Sequence, residues 1–148
     1  MAFRAGEGES VKVILLSLMT ILSAAGAAAQ DAAPYAVKNC GQFTAQPDLN
    51  ACAGANLEAA DAALNKAYQA LMTQQNDGAS RRQLKDVESA WISYRDKECA
   101  YEVGPQQTGG SIWPMEMSNC LETMTAARLR ELMRLRGCIA GASGCGTR

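Results

Sequence analysis

Asp61, Asp96 and Arg128 are the charged residues most suggestive of chemistry, because each falls within or beside the apolar stripe of a helix-forming segment. Asp61 and Asn65 are spaced i, i+4 and flank Leu64, and Arg95 and Asp96 follow Trp91 and Tyr94. Arg128 sits in a stripe with Leu121, Met124, Leu132 and Leu135. Two carboxylates, one kept protonated by its surroundings, would suit glycoside hydrolysis. Charges on facing apolar stripes more commonly meet each other, since a buried charge without a partner is expensive. The expectation is therefore a structural polar network of Asp61, Asn65, Arg95, Asp96 and Arg128, with Asp61 or Asp96 paired to Arg128. Trp91 and Arg95, one helical turn apart, are placed to stack as a cation–π pair.

Other catalytic chemistry is poorly supplied. The chain contains no histidine, so a serine or cysteine nucleophile would lack its commonest base. Gly109-Gly110-Ser111 follows no strand and carries no phosphate-loop lysine. The cysteines Cys40, Cys52, Cys99, Cys120, Cys138 and Cys145 contain no C-x-x-C pair, which argues against zinc. Six cysteines in an exported chain read as three disulfides. No enzyme activity, no cofactor and no metal are expected.

Export is read from the leader. Lys12 precedes an apolar run from Val13 to Leu22, followed by the small residues Ser23 to Ala29. That order is the pattern of a cleaved secretory signal, and the run is shorter than the roughly 20 residues of a spanning helix. Residues 1–29 are thus expected to be a signal peptide, 30–136 a helical domain and 137–148 a short Gly/Cys tail. The mature protein would be periplasmic or secreted, with no membrane insertion. A net charge of −1 gives no electrostatic reason to expect nucleic acid as a partner.

Stepping along the chain, three segments have helical spacing. The first carries Leu57, Leu64, Tyr68 and Leu71, with Ala60, Ala63 and Ala67 between them and Asn50 as its expected N-cap. It should stop near Asn76-Asp77-Gly78. Ser80 is expected to cap a second helix, with the stripe Leu84, Val87, Trp91 and Tyr94, ended by Gly104-Pro105. The third is expected to begin near Met117 or Ser118 and to end at Gly137. The fold class expected is all-α: a three-helix antiparallel bundle or hairpin stapled by disulfides, with an irregular Gly-rich loop between helices two and three.

A tight turn near residue 78 would bring Cys52, Cys99, Cys120 and Cys40 to one pole. Four cysteines allow three connectivities. The expected pairs are Cys40–Cys52, pinning the leading segment, and Cys99–Cys120, closing the Gly-rich loop, with Cys138–Cys145 in the tail. A loop held at both ends is a candidate binding surface, and its residues are Gly109, Gly110, Ser111, Ile112, Trp113 and Met115. The alternative is that Trp113 folds back to cap a sparse core.

The ordered residues Cys40, Cys52-Ala53, Ala60-Asp61, Leu64-Asn65, Tyr68, Ala90 to Asp96, Glu98-Cys99, Gly109 to Ile112, Pro114-Met115, Cys120, Thr125, Arg128, Glu131 and Leu132 resemble the LprI-type lysozyme-inhibitor N-terminal domain family. The resemblance runs to Leu135, and Cys138 and Cys145 lie beyond it. It implies a small periplasmic or secreted helical domain that binds a protein partner, with lysozyme the candidate. A structural or stress-related cell-envelope protein without a lysozyme target is the alternative. Asp86, Glu88, Glu98 and Glu102 form an expected acidic patch for a basic partner, diluted by Lys85 and Lys97.

Overall fold

The structure, a computed structural model, describes residues 33–141. The expected signal peptide over residues 1–29 lies outside them, as does Cys145 with its expected bridge to Cys138. Three long helices account for most of the described chain: α1 (Gln46–Thr73), α2 (Gly78–Val103) and α4 (Trp113–Ile139). Between the last two lie a single turn of helix, α3 (Gln106–Gly109), and a 3-10 turn, Gly110–Ile112. The described residues contain no strand, and the expected all-α class holds.

α1 begins four residues before the expected cap. Pro47 lies in its first turn, where no amide partner is needed, and Asp48 complements the positive end of the helix. Asn50 is consequently inside α1 and caps nothing. Its amide donates to the Ser111 carbonyl at 3.0 Å and its oxygen accepts from Gln46 at 2.8 Å. Ser80 is likewise not the cap of α2. Asp77 is, accepting from the Ser80 backbone amide at 2.8 Å and from its hydroxyl at 2.7 Å. Those hydrogen bonds hold the Asp77 carboxyl below its ordinary range.

Along α1, Ala53, Ala60 and Ala67 alternate with Leu57, Leu64 and Leu71 at the three- and four-residue steps of a heptad seam. α4 lies close along this seam, since alanine lets two backbones approach. Leu64, Ala67, Leu71, Leu129 and Leu132 make the central core, with Tyr68, Leu84, Trp91 and Leu135 packed against it. The amino ends of α1 and α4 meet through Asn50 and Ser111, and Asp61 meets Thr125 further along. The two helices are therefore parallel, and α2 runs antiparallel to both. The backbone of α2 lies closer to α4 than to α1, which α2 meets through side chains such as Arg95 on Asp61.

The inward face of α2 differs from the expected apolar stripe. Val87 and Tyr94 point outward, 46% and 55% exposed. The residues turned inward are Leu84, Glu88, Trp91, Arg95 and Cys99, again in steps of three and four. Two of these five are charged, so hydrophobicity alone places the helix about one residue out of phase.

The connection from α2 to α4 is shorter and more regular than an open loop. Gly104 at φ 78° and Gly110 at φ 62° adopt the left-handed conformation that favours glycine, and α3 closes between them. α4 then starts at Trp113, ahead of the expected Met117. Gly137 does not stop α4. A single glycine costs about 1 kcal/mol in a helix, which the surrounding turns absorb. The helix ends instead beside Gly141, which has the positive φ of a helix stop, 90°.

Candidate functional site

Two arrangements of functional side chains emerge, one inside the bundle and one at its disulfide pole. Inside, Arg95 donates to Asp61 and to the Thr125 hydroxyl, each at 3.0 Å, and pairs with Asp96 at 2.9 Å. Arg128 donates from Nε to Glu88 at 3.1 Å and from Nη1 to Glu131 at 2.7 Å, and its Nη2 also meets Glu88. Trp91 lies between the two arginines, with its ring centroid 5.3 Å from the Arg95 guanidinium carbon and 5.9 Å from that of Arg128. Each arginine thus combines carboxylate contacts with the negative face of one ring.

The expected stacking of Arg95 on Trp91 is present. The expected pairing of Arg128 is not: it takes Glu88 and Glu131, while Asp61 and Asp96 take Arg95. Asn65 is exposed and forms no side-chain hydrogen bond among the described residues. Reasoning from sequence missed Glu88, Thr125 and Glu131. A signal existed for Glu88, because the steps 84, 88, 91, 95 put it on the face of Leu84 and Trp91. Glu88 is only 7% exposed, which removes it from the expected acidic surface patch. What this arrangement does chemically is hold three helices together; the carboxylates that a hydrolytic site would use, Asp61 and Asp96, are both engaged with Arg95.

At the pole, Cys40–Cys52 and Cys99–Cys120 are formed, each with Cα atoms 5.7 Å apart. The first ties the leading segment to α1. Asn56 reinforces it, accepting from the Lys38 amide at 2.8 Å and donating to the Lys38 carbonyl at 3.1 Å. Tyr35 donates to the Glu122 carboxylate, and burial together with that bond pushes its phenol well up. The second bridge joins α2 to α4, the two walls on either side of the Gly-rich turn.

The six candidate loop residues divide by which way they face. Trp113 folds back, its indole donating to the Gly104 carbonyl at 2.9 Å. Gly109 lies directly beneath it: a Cβ there would meet Trp113 Cδ1 at 2.4 Å and Cβ at 2.8 Å. Met115 is half-buried, with its sulfur 3.8 Å from the Gln46 amide. Gly110, Ser111 and Ile112 face solvent, Ile112 at 40% exposure. Gly109→Ala should therefore expel the indole and destabilise the fold by about 1–3 kcal/mol, the range for overpacking. A loss of tryptophan intensity in near-ultraviolet circular dichroism, with an earlier thermal midpoint, would check it; an unchanged spectrum would refute the contact.

These features define a class: a small all-α domain whose helices are joined by ion pairs of two inward-facing arginines and whose one pole carries two disulfides beside an exposed turn. The chain belongs to the lysozyme inhibitor LprI family, whose family model matches residues 37–132. That range contains both described disulfides, the two-arginine core and the Gly109–Met115 turn. The chain is also similar to an uncharacterized protein of Rhizobium meliloti (strain 1021), 37% identical over 109 residues that cover 66% of this chain and 78% of the relative. No solved structure gives a significant match. Among the described residues no helix is long and apolar enough to cross a membrane.

Proposed function

We propose that the protein is exported, loses residues 1–29, and acts outside the cytoplasm as a lysozyme inhibitor by protein–protein contact. The observation that carries this reading, beyond family membership, is the way the exposed turn is held. Gly110, Ser111 and Ile112 protrude from a support made of Trp113 on Gly109, Asn50 on the Ser111 carbonyl and the Cys99–Cys120 bridge. A preorganised turn lets contact energy appear as affinity, because little conformational entropy is lost on binding. The side chains offered to the partner are Ser111 and Ile112, with Trp113 and Met115 positioning them from below.

The test is a titration of the oxidised exported protein against several lysozyme types, followed by cell-wall lysis. Dose-dependent inhibition is expected, and it should disappear when the disulfides are reduced. Absence of inhibition against every type would refute the reading and favour a structural role in the cell envelope.

A further inference from the structure

Beside the exposed turn, α2 and α4 enclose a cleft lined by Glu102, Val103, Glu116, Cys120, Thr123 and Met124. Its two carboxylates differ from those around Trp91. Asp61, Glu88, Asp96 and Glu131 each hold an arginine, whereas Glu102 and Glu116 form no ion pair among the described residues. They stand on opposite walls. Glu102 lies three residues after Cys99 and Glu116 four before Cys120, so each is one helical turn from the bridge that joins the walls. The Glu102 carboxylate is 3.3 Å from the Cys120 sulfur. Val103 and Met124 supply apolar surface between the charges. Ile112, the last residue of the 3-10 turn, is exposed and lies four residues before Glu116 in the chain.

We infer that this cleft receives a lysine or arginine side chain from the partner protein, with Glu102 and Glu116 at the cationic head and Val103 and Met124 along its aliphatic stem. A long cationic side chain buries its methylene stem on apolar surface while its head is paired, and charge complementarity of this kind selects a basic protein over neutral competitors. The inference rests on the reading of the protein as a lysozyme inhibitor and specifies where a basic lysozyme surface would dock. The Cys99–Cys120 bridge would set the spacing of the two carboxylates, which links the pole's covalent clamp to recognition.

The experiment compares the oxidised exported protein with its E102Q/E116Q variant and an E58Q control, the last altering an exposed carboxylate on α1. Dissociation constants are measured at two salt concentrations against a lysozyme that the unaltered protein inhibits, and circular dichroism checks the fold of each. The expected result is a loss of about tenfold or more in affinity for the double variant at low salt, a shallower salt dependence, and no change for the control. Equal affinity of the double variant, or an equal loss in the control, would overturn the cleft as the docking site while leaving inhibition intact. No binding to any lysozyme by the unaltered protein would overturn the functional reading and this inference with it.

Discussion

Arg128→Ala should destabilise the protein by about 3–5 kcal/mol, because it removes one partner of a buried ion pair and leaves the other charged. The side chains of Arg128 and Glu88 are 11% and 10% exposed, so water does little to rescue the abandoned carboxylate. Glu88 lies on the inward face of α2 beside Leu84 and Trp91, where it cannot turn out to solvent without rotating the helix. The same substitution removes one of two guanidinium groups from the Trp91 ring. Replacing the pair instead by Arg128→Met and Glu88→Leu should avoid much of the loss, since an apolar pair of similar volume has no desolvation penalty. Chemical denaturation of the single and double variants measures both. A single variant within about 1 kcal/mol of the unaltered protein would show that the pair contributes little.

Replacing Cys99 and Cys120 together by alanine should lower stability by about 3 kcal/mol, the loop-closure value for a bridge spanning 21 residues. The Cys40–Cys52 bridge spans 12 residues and the same relation gives nearly as much. The two losses should nonetheless differ in where the structure loosens. α2 is attached to the rest mainly through α4, and Cys99 is fully buried against Met124, 3.6 Å away. Without that bridge, amide exchange should quicken first at the end of α2, in α3 and at the start of α4. Without Cys40–Cys52, it should quicken in the segment around Tyr35 and Lys38. Hydrogen exchange followed residue by residue distinguishes the two patterns, and uniform quickening in both variants would refute the argument. Under the proposed function the first variant should also lose inhibition of lysozyme, because it frees the exposed turn and the walls of the neighbouring cleft.

Much of this organisation was legible in the residues themselves. Alanine and leucine at helical spacing specify α1, because one face of a helix repeats every three or four residues and only that face is apolar. Gly104-Pro105 stops α2 for reasons of local backbone geometry. The gathering of four cysteines at one pole followed from helix lengths, since two reversals of direction leave Cys40, Cys52, Cys99 and Cys120 at one end, but which pairs with which did not. Local sequence was less informative at helix starts. Pro47 and Asp77 outcompete Asn50 and Ser80 as the points where α1 and α2 begin, each by satisfying or avoiding the free amides of a first turn.

The tertiary structure alone decided the partners of the charged residues and the directions of the loop side chains. Hydrophobicity assigns Val87 and Tyr94 to the interior of α2, yet Glu88 and Arg95 occupy it, because α4 and α1 supply Arg128 and Asp61 opposite them. A buried charge is favourable only when its counterion arrives from another element, and no single helix's sequence carries that information. In the sequence Trp113 reads either as an anchor for a partner or as a cap on the fold. Only the placement of Gly109 beneath the indole, and of the Gly104 carbonyl within reach of its N–H, turns it inward and leaves Ser111 and Ile112 as the residues the protein presents.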